Sequence, residues 1–108
     1  MEKLVDTFVE TANAFDVEGT LALFGSTAVI EDASVGETFA GPDGIRFYLE
    51  KFFVGYNTRS KLLSLERTGD SSATARLDFT GDFGHEIGFL RIVIDSSGLI
   101  ERIEADLE

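Results

Sequence analysis

Apolar residues recur at helical spacing in two stretches of the chain and alternate with polar ones in several others. Leu4, Val5, Phe8, Ala12 and Phe15 fall on one face at a period near 3.6 and predict an amphipathic helix from Glu2 to Phe15. Asp16 then suits the N-cap of a short second helix through Phe24, with Glu18 favourable in its first turn. Leu21 and Phe24 would face inward there, and Gly25 would end it. A third helix opens with Gly41 as cap and Pro42 at its first position. Ile45, Tyr48, Leu49, Phe52, Phe53 and Tyr56 fill every place on its inward stripe.

The strands follow a period of two. Thr27 to Asp32 reads as a strand, and a short one is expected around Thr38 and Phe39. Thr58 to Thr68 leads through a Gly69-Asp70 hairpin signal into Ser72 to Thr80. In the latter, Ala73, Ala75, Leu77 and Phe79 form one face and Thr74, Arg76, Asp78 and Thr80 the other. Glu86 to Asp95 is apolar on both faces, as in a central strand covered on both sides. The last strand should turn Leu99, Ile103, Ala105 and Leu107 inward and Arg102, Glu104 and Asp106 outward. Helices followed by an antiparallel meander define an α+β single domain over residues 1–108. A sheet curled around the N-terminal helices would leave an internal pocket between its concave face and the helices.

Composition narrows the function. Hydrophobic residues make up 44% of the 108, and ten are phenylalanines, large rings suited to lining a cavity. The net charge of −11 disfavours nucleic acid and anionic membrane surfaces as partners, because both attract basic patches. No apolar run is long enough to span a bilayer, and the opening MEKLVDTFVE is acidic and amphipathic, which gives a cytoplasmic location as the expectation. With no cysteine, a single His85 and no EF-hand spacing, neither a metal site nor a cofactor is expected.

The candidate chemistry sits at the end of the first strand. Alternation sends Glu31 and Asp32 to opposite faces, and Asp32 shares its face with Ile30. A carboxylate in an apolar hollow is a candidate general base. The same residue could instead anchor the loop that follows, a common use of Asp at turns. If no partner held that carboxylate, Asp32→Asn would stabilise the fold at neutral pH by removing a buried charge. Tyr48 and Tyr56 could each bring a hydroxyl to a ligand, and Asn13 to a ligand or a loop.

In order and spacing the chain resembles the NTF2-like superfamily, in particular its SnoaL-like and ketosteroid-isomerase-like branch. The resemblance is carried by Asn13-Ala14-Phe15-Asp16, Gly19, Ala22-Leu23-Phe24, Ala28, Glu31-Asp32, Gly41 and Ile45-Arg46, and more loosely by the later strands up to Gly98-Leu99-Ile100. It implies a cone-shaped, curved and mostly antiparallel sheet wrapped around N-terminal helices, a small hydrophobic ligand, and often a homodimer. It also implies proton transfer of the isomerase or cyclase type with Asp32 as base. Phe8, Tyr48, Phe52, Leu90, Ile103 and Ala105 are then the expected ligand-binding residues. In ketosteroid isomerases a helix-1 Tyr and a protonated Asp stabilise the oxyanion. Phe8 and Leu90 stand at those places here. Loss of one such donor costs about 10²–10³ in rate. Arg76-Leu77-Asp78 looks like the Arg-x-Asp strand of limonene-epoxide hydrolases, but Ala105 falls where their further Asp would be. The alternative to catalysis is a non-catalytic ligand-binding or dimerising module.

Overall fold

The computed structural model describes all 108 residues. Its elements are α1 (Glu2–Asn13), α2 (Val17–Leu21), β1 (Phe24–Asp32), β2 (Glu37–Ala40), α3 (Gly41–Leu49), a π-helical turn (Glu50–Val54), β3 (Arg59–Gly69), β4 (Ser72–Gly81), β5 (Gly84–Ile94) and β6 (Ile100–Leu107). The six strands form one sheet in the order β2-β1-β6-β5-β4-β3. Only the β1–β6 pairing is parallel; the others run antiparallel. The α+β architecture expected from the residue pattern is therefore the one observed.

Helix α1 buries Val5, Phe8 and Ala12 against the sheet. It stops two residues early because Phe15 takes a left-handed backbone (φ 57). Asp16 then caps α2 by accepting a 2.9 Å hydrogen bond from the Gly19 amide. A Cβ at Gly19 would lie 2.2 Å from that carboxylate, so the tight cap needs glycine. Asn13 joins α1 to β3: its Nδ2 donates to the Ser60 carbonyl at 2.9 Å and its Oδ1 accepts from the Ser60 amide at 2.7 Å. Its role is structural.

Two expectations about element ends are corrected. Phe24 belongs to β1 rather than to α2, because it pairs with Ile100 and the Ile100 amide donates to Leu23 O at 2.8 Å. Pairing across the sheet overrides the local helical signal. Leu99 does not turn into the core; it is 37% exposed, while Ile100 is fully buried, and Leu107 stays on the inner face at the cavity. The register between β5 and β6 passes from Ile94–Ile100 to Val93–Arg102, so Glu101 is an extra residue. Such a bulge shifts the alternation by one, and Leu99 is left in the turn, its amide bonded to Asp95 Oδ1.

Helix α3 also departs from the single stripe. Ile45, Tyr48 and Leu49 are buried, after which the helix widens into the π turn and Tyr56 reaches the surface. One inner layer of Ala73, Ala75, Leu77, Leu90, Ile92 and Ile103 covers the helices. On β5, Gly88, Leu90 and Ile92 are buried, whereas Ile87, Phe89 and Val93 on the outer face are only partly covered.

Candidate functional site

The inner face of β1 runs Ala28, Ile30, Asp32, all buried, and Glu31 lies on the outer face as alternation required. Asp32 ends the strand 7% exposed, at the edge of a cavity of about 290 Å³ between the sheet and α3. Its two oxygens do different things. Oδ1 accepts from the Ser34 amide at 2.9 Å and from the Ser34 hydroxyl at 2.5 Å, which fixes the loop to β2. Oδ2 accepts the Tyr48 hydroxyl at 2.6 Å. One side chain thus both borders the cavity and anchors the loop.

Tyr48 is buried and crosses to Asp32 from the inward face of α3. Burial raises its phenol pKa well above the ordinary value of 10.0, and the Asp32 charge and hydrogen bond push it further up. The phenol therefore keeps its proton and acts as a donor to the carboxylate. The rest of the wall is mostly apolar: Phe52 and Phe53 from the π turn, Phe79 from β4, Leu90 from β5, Ala105 and Leu107 from β6. A π turn inside a helix is a frequent feature of functional sites, and here it sets two adjacent phenylalanines on the wall. Tyr56 and Phe83 line the cavity on residues that also reach the surface.

Of the residues expected at the ligand, Asp32, Tyr48, Phe52, Leu90 and Ala105 meet around this cavity. Phe8 and Ile103 do not; both lie in the packed core. Phe53 stands against Phe8 with ring centres 6.3 Å apart, so the wall is one layer nearer the cavity than helix 1. Ser34 was not singled out by the sequence, although an Asp followed two residues later by a Ser at a strand end is an Asx-turn signal. Arg76 pairs with Glu108 on the outside, and His85 Nε2 lies 2.7 Å from Asp78 Oδ1 beside the β4–β5 hairpin; neither lines the cavity.

A wider, open hollow of about 630 Å³ lies beside it, between the β2 loop and the outer side of β4–β6. Its walls are mainly acidic: Glu31, Asp32, Glu37, Glu104 and Asp106 line it, with Arg91, 3.5 Å from Glu104, as the one cation among them. It lacks the enclosed apolar wall of the smaller cavity. No group of three or more metal-ligating side chains occurs in the structure. No helix is long and apolar enough to cross a membrane.

No protein-family model matches the chain, and neither does any curated protein. Solved structures match it throughout its length. A candidate ketosteroid isomerase of Kribbella flavida superposes with a TM-score of 0.85 at 17% identity, over 98% of this chain and 76% of the other. A Mycobacterium tuberculosis protein solved in complex with estradiol-17β-hemisuccinate gives 0.83 at 16% identity, over 94% and 88%. An NTF2-like protein of unknown function from Cytophaga hutchinsonii gives 0.83 at 9% identity, over 99% and 88%. The chain has the NTF2-like fold, the architecture that ketosteroid-isomerase-like proteins share.

Proposed function

We propose that the chain binds a small hydrophobic molecule in the cavity between α3 and the sheet, and that Asp32 is the group that accepts a hydrogen bond or a proton from it. The observation that carries this reading is the buried Asp32–Tyr48 pair at the edge of an otherwise apolar cavity. A volume of about 290 Å³ is near the lower end of those of small-molecule sites. The steroid analogue held by the Mycobacterium tuberculosis protein of the same fold supports an apolar ligand. A carboxylate offers about four lone-pair sites. Three are taken by the protein, which leaves one on Oδ2 for a ligand.

The missing donors at Phe8 and Leu90 argue against isomerisation through a stabilised oxyanion. Proton abstraction from an already acidic position remains within the reach of Asp32 as general base. Two experiments, a titration and an exchange measurement, separate the readings. A neutral cage alcohol such as 1-adamantanol should bind the wild type and bind Phe52→Ala at least about tenfold more weakly; equal affinity for the two proteins would sink the pocket reading. Exchange of the α-hydrogens of 2-indanone in heavy water, followed by NMR, should be accelerated by the wild type and not by Asp32→Asn. Binding without exchange would make the chain a non-catalytic ligand-binding module.

The homodimer belongs to the same proposal. Ile87, Phe89 and Val93 leave an apolar strip partly uncovered along the outer face of β5. Arg91, Arg102, Glu31 and Glu104 flank it with charges of both signs, a pattern a second copy can meet.

A further inference from the structure

The polar groups of the cavity are of one kind. Asp32 and Glu86 line it, Asp106 stands at its border with the outer hollow, and no Lys, Arg or His lines it. Its Ser34, Tyr48 and Thr58 hydroxyls are already committed as donors: Ser34 to Asp32 Oδ1, Tyr48 to Asp32 Oδ2, and Thr58 to the Phe52 carbonyl at 2.6 Å. What remains open at the Asp32 end is lone pairs, one on Oδ2 and those of the Tyr48 oxygen. The Tyr56 hydroxyl, on a residue 39% exposed, is the lining side chain with a donor not used within the protein. A ligand carbonyl or carboxylate brought up to Asp32 would meet acceptors only. An N–H-bearing cation would meet partners.

The walls favour the same choice. Ring centres follow one another from Tyr48 to Phe52 at 5.0 Å, from Phe52 to Tyr56 at 5.9 Å and from Tyr56 to Phe83 at 6.2 Å. This row of rings leads from the surface to the buried carboxylate. Aromatic faces attract a cation and surround alkylammonium groups in known cages.

We propose that the natural ligand of this cavity is a compact apolar amine, bound as its ammonium ion with the nitrogen at the Asp32–Tyr48 end. The inference rests on the reading of the cavity as a ligand site and adds the sign of the ligand. Asp32 supplies the counter-charge, Tyr48 accepts a second N–H and holds the carboxylate in place, and the rings enclose the hydrocarbon. Glu86 and Asp106 give the cavity a negative field that draws in cations and repels anions.

Three probes built on one hydrocarbon cage test it by titration calorimetry at neutral pH and physiological salt: 1-adamantylammonium, 1-adamantanol and adamantane-1-carboxylate. The ammonium should bind at least about tenfold tighter than the alcohol, and the carboxylate should not bind measurably. In Asp32→Asn, the ammonium should lose its advantage over the alcohol, and an unchanged circular dichroism spectrum shows that the protein is still folded. Glu86→Gln provides a second variant away from the loop anchor, and should weaken the ammonium alone. An alcohol that binds as tightly as the ammonium would overturn the amine assignment and leave a site for neutral ligands. Failure of all three probes would overturn the ligand site itself.

Discussion

The Tyr48 hydroxyl donates a 2.6 Å hydrogen bond to Oδ2 of Asp32, and both residues are buried. Sixteen positions apart in sequence, they are brought together because α3 lies across β1. The bond satisfies the phenol in the core and gives the carboxylate a buried donor. A hydrogen bond to a charged acceptor contributes about 1.5–3 kcal/mol.

Tyr48→Phe should therefore lower stability by about 2 kcal/mol at neutral pH in urea melts. The pH dependence has a definite sign. Burial and the Asp32 charge raise the folded pKa of Tyr48, so its contribution is complete below the unfolded value of about 10 and is lost as pH climbs towards the folded one. Above that unfolded value the denatured chain ionises this phenol and the native chain does not. The stability gap between wild type and variant should shrink by about 1.4 kcal/mol between pH 8 and pH 11. A gap that stays constant would mean that the phenol ionises as readily in the native state.

The pair also marks where the sequence stops being legible. Alternation in β1 placed Asp32 on the inner face, and the stripe of α3 placed Tyr48 inward, because both follow from local backbone geometry. Their meeting depends on how helix crosses sheet, which no spacing encodes. Phe8 is expected at the ligand because it stands where the resemblance puts a helix-1 Tyr; the Phe53 ring packed against it follows from no spacing in the chain. Leu99 failed for a different reason: the bulge at Glu101 breaks the period on which the assignment of faces rested. The Ser34 bonds needed only an Asx-turn reading of Asp32-Ala33-Ser34, a signal that was present.

The outer face of β5 makes the assembly testable. Light scattering at micromolar concentration should give twice the chain mass. Val93→Glu puts a carboxylate on the apolar strip, directly across from Arg102, so the single chain keeps a favourable cross-strand pair. The variant should remain folded by circular dichroism and become monomeric. A wild type that is already monomeric would remove the outer face as a dimer surface.

Asp32→Asn tests the carboxylate itself. An unpartnered acid in an apolar hollow would be relieved by the amide, and the variant would gain stability. The three donors around Asp32 reverse that expectation. Asn offers one acceptor oxygen and one NH₂ group. If its oxygen keeps the Ser34 bonds, the NH₂ replaces the Tyr48 acceptor and leaves a buried phenolic proton without a partner. If the amide turns over, the Ser34 amide and hydroxyl lose theirs. Either arrangement leaves at least one donor unsatisfied, at about 1–3 kcal/mol. The variant should thus be destabilised by that amount at pH 7, and the combined Tyr48→Phe, Asp32→Asn protein should lose less than the sum of the two single changes, since the phenolic donor is absent. Urea melts of the four proteins give the cycle directly. A stabilised Asp32→Asn would mean that desolvation of the charge outweighs all three bonds.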